Sequence, residues 1–146
     1  MRCVVQRVLE ASVKVDGHIV GQIGKGALIF LGIHKDDLVS DVSYLAAKVA
    51  SLRMFIENEK MNLSLVDIQG EALVVSQFTL YGNCQRGRRP DFLDAAPPSI
   101  ALPLYEEFVK ELSKELSHVA TGQFGADMKV SLVNDGPVTF IIDSKR

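Results

Sequence analysis

Tryptophan is absent from this 146-residue chain, and cysteine and histidine are scarce, with two and three copies. Cys3 and Cys84 form no Cys-x-x-Cys pair and join no Cys/His grouping, so neither a disulfide framework nor a zinc module is supported. Both read as reduced, non-structural thiols. His18, His34 and His118 lie far apart, without carboxylates at ligand spacing, so no metal and no cofactor is expected. Long apolar runs are missing too. The longest, Ala27 to Ile33, falls far short of the ~20 residues that span a bilayer, and Met1 to Arg7 is too short in apolar residues for a secretory signal. A soluble, cytoplasmic protein with no membrane partner is expected. Strong positive charge is also lacking. A net charge of −2 argues against coating nucleic acid through a global field, so any RNA contact must come from a local patch.

What is present, 47% hydrophobic and 23% charged residues, suits one compact domain over 1–146. Arg2 to Val15 alternates in the β manner, and Val13, Val15, Ile19 and Ile23 carry the alternation across Asp16-Gly17, a hairpin signal. Ala27 to Ile33, flanked by glycines, reads as a strand buried on both faces. Leu38, Val42, Leu45, Ala46, Val49 and Leu52 recur at helical spacing, with Ser40 or Asp41 available as a cap. Arg53 to Ile56 and Leu63 to Val66 are short strand candidates, and Glu71 to Phe78 is a strong one. Tyr81 to Pro98 has no steady period and several Gly and Pro, so it reads as a long irregular loop. A second helix follows on Tyr105, Phe108, Val109, Leu112 and Leu116, with Pro103 expected in its first turn. Asp127 to Val133 and Val138 to Ile142 read as two strands joined through Asn134-Asp135-Gly136-Pro137.

Two segments carry candidate chemistry. Ser76-Gln77-Phe78-Thr79-Leu80 ends a strand, where polar groups and an unpaired backbone N–H could hold an oxyanion. The plainer reading is that these side chains satisfy local backbone groups. Asn134-Asp135-Gly136-Pro137-Val138-Thr139 reads either as an ordinary turn or as special geometry at Gly136. A cis Gly136-Pro137 bond would aim two carbonyl oxygens in a similar direction; the sequence leaves the isomer open.

Together the two segments resemble the two signature motifs of D-aminoacyl-tRNA deacylases. The similarity extends to Met1 to Val8, Leu31-Gly32-Ile33 with Asp36-Asp37, Lys60 to Leu65, Ala95 to Pro98 and Gly125 to Met128, and neither motif departs from the family pattern. The resemblance implies an α+β fold, with a curved barrel-like sheet and two flanking helices, assembled as a symmetric homodimer. It also implies that Gly136 and Pro137 of one subunit enter the partner's active site, which is otherwise built from Ser76, Gln77, Phe78 and Thr79. The implied substrate is D-aminoacyl-tRNA, hydrolysed at its ester bond to free tRNA and D-amino acid, with glycyl-tRNA as a further substrate.

Thr79 has no histidine or lysine beside it to activate its hydroxyl. The family instead implies RNA-assisted hydrolysis, in which the 2′-hydroxyl of the terminal adenosine positions or activates water. Backbone N–H groups near Phe78 and Thr79 would hold the oxyanion, with Ser76 and Gln77 orienting. Carbonyls of Gly136 and Pro137 would bind the α-ammonium while the same wall blocks an L side chain. Arg86, Arg88 and Arg89 form a local basic cluster with two readings, acceptor-stem phosphate contacts or a solvated loop. Arg7 likewise has two, a surface ion pair, the commoner fate of such a residue, or an anchor for the Gly-Pro turn. Two competing functions remain, a non-catalytic RNA-binding dimer and a related editing deacylase with a trans Gly-Pro bond and a shift toward L-amino acids.

Overall fold

The computed structural model describes residues 1–145. Strand β1 (Arg2–Val15) is its hub, because three strands pair with it. Asp16 (φ 51°) and Gly17 (φ 78°) form the two-residue turn expected of the hairpin and return the chain as β2 (His18–Ile23). The other half of β1 pairs with β3 (Gly26–Gly32), which runs parallel to β6 (Glu71–Ser76), and β6 runs parallel to β7 (Val119–Thr121). At the far side β2 meets β7 so closely that a Cβ on Gly21 would lie 2.2 Å from the Thr121 carbonyl oxygen. Only glycine admits that approach, and it lets the sheet curl into a nearly closed barrel.

β3 is buried on both faces, as its composition predicts. Ala27, Ile29 and Leu31 face the helices, whereas Leu28 faces a second cluster inside the barrel with Val8, Val13, Leu73 and Val75. Helix α1 (Val39–Ser51) turns Val42, Leu45, Ala46 and Val49 into the first cluster. Its first turn is capped by Asp41, whose carboxylate accepts the Leu38 N–H at 2.8 Å.

The resemblance implies two helices; among the described residues there are three α-helices. The expected strand around Leu63 to Val66 is divided between β5 (Lys60–Leu63), paired with β4 (Phe55–Glu57), and the one-turn helix α2 (Leu65–Ile68). Ser64 starts that helix by accepting the Asp67 N–H, while the Asp67 carboxylate accepts the Ser64 N–H, a reciprocal cap stronger than the local β-propensity. Helix α3 (Pro98–Ser113) begins earlier than Pro103 suggested, because Pro98 itself occupies the first position, where its missing N–H costs nothing. Pro103 therefore lies inside the helix.

The last two expected strands are one, β8 (Lys129–Asp143). Lys129 to Asn134 pairs antiparallel with Lys14 to Val8, and Thr139 to Asp143 continues in the same direction along Gln6 to Arg2. Asn134 to Pro137 is thus a bulge in a continuing strand, not a reversal, with register shifts on both sides of Val8. Among the described residues no helix is long and apolar enough to cross a membrane.

Candidate active site

Strand β6 ends at Ser76, but its parallel ladder extends one step further, since the Gln77 N–H donates to the Leu31 carbonyl at 2.8 Å. The chain then turns through a short 3₁₀ helix, Phe78–Tyr81, held by Leu80 N–H to Gln77 O and Gly82 N–H to Thr79 O. The N–H groups that open such a turn have no acceptor within it. Those of Phe78 and Thr79 donate to no protein acceptor among the described residues. Arg2 fixes the turn from behind, with Nη1 on the Leu80 carbonyl, Nε on Asp143 and its guanidinium 5.2 Å from the Tyr81 ring.

In front of the turn lies a pocket of about 510 Å³. Ser76, Gln77 and Phe78 form one wall, Leu31, Ile33, Ala96, Pro98 and Ala101 its base, and Phe124 to Met128 with Val130 the opposite wall. Asp127 is the one ionisable side chain in this lining, and it pairs with Lys129 at 2.9 Å. Thr79 does not line the pocket, and its hydroxyl accepts a short hydrogen bond from the Gln77 amide. Behind the turn the Tyr81 phenol is pushed up by burial and then by the nearby Asp37 carboxylate, so it stays protonated. The pocket therefore offers hydrogen-bond donors and an apolar cradle, without a histidine, lysine or thiolate to act as base or nucleophile.

Gly136 and Pro137 do not share this pocket within one chain. Their peptide bond is cis, both residues are exposed, and Pro137 lines a separate recess of about 260 Å³ with Arg7, Ile56 and Met61. Arg7 is not the surface residue its charge suggested; it is 7% exposed. Its Nε reaches the Asp135 carbonyl at 3.2 Å and carboxylate at 3.0 Å, and Nη1 reaches the Met54 carbonyl at 2.8 Å. Asn134 closes the other flank, donating to Arg7 O at 2.8 Å and Val138 O at 3.2 Å.

Arg86, Arg88 and Arg89 sit on an exposed excursion closed at its base by two main-chain hydrogen bonds between Asn83 and Asp91. None of the three makes an ion pair among the described residues. Immediately after the base, Phe92 packs edge-on against Phe78, with ring centroids 5.1 Å apart.

This geometry coincides with a family match: residues 4–143 fit the family described as D-Tyr-tRNA(Tyr) deacylase. The chain belongs to that family. Among relatives named D-aminoacyl-tRNA deacylase, it is 58% identical to that of Thermosipho africanus and 56% identical to that of Fervidobacterium nodosum. Each alignment covers 100% of this chain and 99% of the relative. The family fold is seen in the solved structure of a c-Myc DNA unwinding element binding protein, 38% identical, with a TM-score of 0.93 and 98% of both chains covered. A structure described as a "probable eukaryotic D-amino acid tRNA deacylase", 18% identical over 97% of this chain and 98% of that one, shares the fold with a TM-score of 0.84.

Sequence reasoning missed the pocket's far wall. Phe124 to Ala126 has no period, Gly125 adopts a positive φ of 77°, and Asp127 and Met128, expected as the start of a strand, precede β8 and line the pocket instead. Its Gly-Ala-Asp-Met stretch was a point of family resemblance and the sole signal available.

Proposed function

We propose that this member of the deacylase family hydrolyses the ester of D-aminoacyl-tRNA in the cytoplasm, in a homodimer whose two active sites are each composite. The pocket at Ser76 to Phe78 receives the terminal adenosine and its ester, and the Gly136-Pro137 turn of the partner subunit closes the site. Family membership supports the reaction.

Gly136 supports the composite site. Its φ is not positive, and a Cβ there would meet nothing closer than the Asn134 side-chain oxygen at 3.5 Å, an ordinary contact. Glycine is thus not demanded by its own chain, which fits a position kept bare for close approach by something outside it. A two-fold interface lets each subunit both give and receive the turn.

Catalysis in this reading belongs to the RNA. The ester is already activated, the 2′-hydroxyl of the adenosine directs water, and the free N–H groups of Phe78 and Thr79 stabilise the oxyanion. Ser76 and Gln77 orient the substrate. Carbonyl oxygens of Gly136 and Pro137 hold the α-ammonium, so inverting the α-carbon drives an L side chain into the turn and leaves a D side chain in open space. Arg7 holds the turn through Asp135, and Arg86, Arg88 and Arg89 meet acceptor-stem phosphates.

Incubating the purified protein with D-tyrosyl- and L-tyrosyl-tRNA tests this directly. Release of D-tyrosine with L-tyrosyl-tRNA left intact is the expected result. Binding of both without hydrolysis would instead identify a non-catalytic RNA-binding protein, and preferential cleavage of the L substrate an editing enzyme of the opposite choice.

A further inference from the structure

The β4–β5 hairpin takes no part in the site described above, yet it is built as an extension of the Gly-Pro turn. Ile56 and Met61 face each other directly across the two strands and are 53% and 50% exposed, while Phe55 points into the core at 2%. Both outward side chains line the recess beside Pro137. The base of the hairpin is tied to the turn by one residue, since Arg7 binds the Met54 carbonyl with Nη1 and Asp135 with Nε. Met54 in turn donates its N–H to the Leu63 carbonyl, closing the hairpin. A buried guanidinium with both ends engaged makes hairpin and turn one rigid unit.

At the pocket, Phe78 (57% exposed) packs against Phe92 (39% exposed) and the two form a second apolar patch. In a two-fold assembly two different patches on one chain meet each other twice, once in each direction. A turn delivered into the partner's pocket carries its rigidly attached hairpin to that pocket's rim.

We propose that Ile56 and Met61 of one subunit pack on Phe78 and Phe92 of the partner subunit, so that the hairpin completes the rim of the composite active site in trans. This rests on the composite-site reading above. The contact excludes water from the ester and holds the turn at a fixed depth, which makes the hairpin a positioning element rather than a catalytic one.

The test is complementation between differently tagged chains, isolated as two-tag heterodimers. One chain carries Ile56→Lys with Met61→Glu, which places opposite charges across the hairpin and so preserves it, but puts charge into the apolar contact. The other carries Phe78→Pro, which removes an oxyanion donor. A third carries Gly136→Phe, whose Cβ meets nothing closer than 3.5 Å in its own chain but whose ring would obstruct the partner's pocket. Circular dichroism and melting temperature near the wild type establish that each variant folds.

Each variant alone is expected to lose activity on the order of tenfold or more. The hairpin chain paired with the Phe78→Pro chain is expected to recover about half the wild-type rate, because one of its two sites then contains only native parts. The Gly136→Phe chain paired with Phe78→Pro is expected to do the same. If the second pair recovers and the first does not, the hairpin acts within its own chain and the inference fails while the composite site stands. If neither recovers, or no two-tag species forms, the composite site itself is wrong. Full activity of the hairpin homodimer would also overturn the inference.

Discussion

Arg7 and Asp135 meet twice, with the guanidinium Nε 3.2 Å from the Asp135 carbonyl oxygen and 3.0 Å from its carboxylate. The bulge in β8 is therefore held by a charged side chain from β1 that is itself buried. Arg7→Ala leaves the Asp135 and Met54 carbonyls without this partner, and the loss is expected to cost about 1–3 kcal/mol. A lowered melting temperature should be accompanied by measurable cleavage of L-aminoacyl-tRNA if the turn rejects it as proposed, because the turn is then no longer held. Arg7→Lys, a single point charge, should recover only part of both properties. Unchanged D/L discrimination in Arg7→Ala would separate Arg7 from chiral selection.

Phe78→Pro removes the Phe78 N–H at the first position of its turn, where proline is tolerated, so folding should be little affected. Activity should fall about 10²–10³-fold, the usual cost of one oxyanion donor. Phe78→Ala keeps the N–H and loses only the ring, so its defect should be clearly smaller. Equal defects in single-turnover assays would assign the role to the ring instead.

Thr79 has its hydroxyl oxygen engaged by Gln77 and does not line the pocket, which is poor geometry for a nucleophile. Thr79→Ala is expected to retain most activity, and a substrate ending in 2′-deoxyadenosine to react far more slowly than the ribose form. The reverse pattern would make Thr79 the attacking group.

Glycine carries hydrogen at both α-positions and offers nothing for a Gly-Pro wall to reject. Glycyl-tRNA should therefore be cleaved while L-alanyl-tRNA survives. Pockets that sort by one methyl group reach only about 10–200-fold, so a ratio well above that range is expected from steric rejection. Parallel time courses with glycyl-, D-alanyl- and L-alanyl-tRNA decide the matter; refusal of glycine alongside L-alanine would mean that the D side chain is positively recognised.

Asp41 provides a prediction about pH. Burial opposes its charge, but the Leu38 N–H, the Ser144 hydroxyl and Lys145 together hold its carboxyl below the ordinary range. A carboxyl depressed in the folded state contributes stability above its unfolded pKa of ~3.9, and that contribution disappears as pH falls through the lower folded value. Asp41→Asn should accordingly cost about 1 kcal/mol at pH 7, in the range of a lost cap. Melting curves of the two proteins should converge in acid.

Most of the barrel was legible because its strands obey local rules. Asp16-Gly17 demands a tight turn, and β3 is apolar on both faces because both are covered. The bulge at Asn134 to Pro137 was not legible, since Gly-Pro between two β runs fits a reversal equally well and only long-range pairing with β1 distinguishes them. Helix α2 was hidden in the same way, because the reciprocal Ser64–Asp67 cap outweighs a segment's weak strand preference. Within the site, Ser76 to Phe78 could be placed from the motif, but Ala96, Pro98 and Phe124 to Met128 join them only once β3 and β6 lie parallel. The burial of Arg7 follows from a neighbour 128 residues away, which no local pattern reveals.

The pairing of β1 with β8 joins the first strand of the chain to its last. During synthesis, one edge of β1 must stay bare until residues 129–143 have left the ribosome, leaving a hydrogen-bond-hungry strand unpaired until then. Pairing across so long a separation is slow. Slowing translation between the codons for β1 and those for β8 should therefore prolong that exposure, where slowing it after β8 has emerged should not.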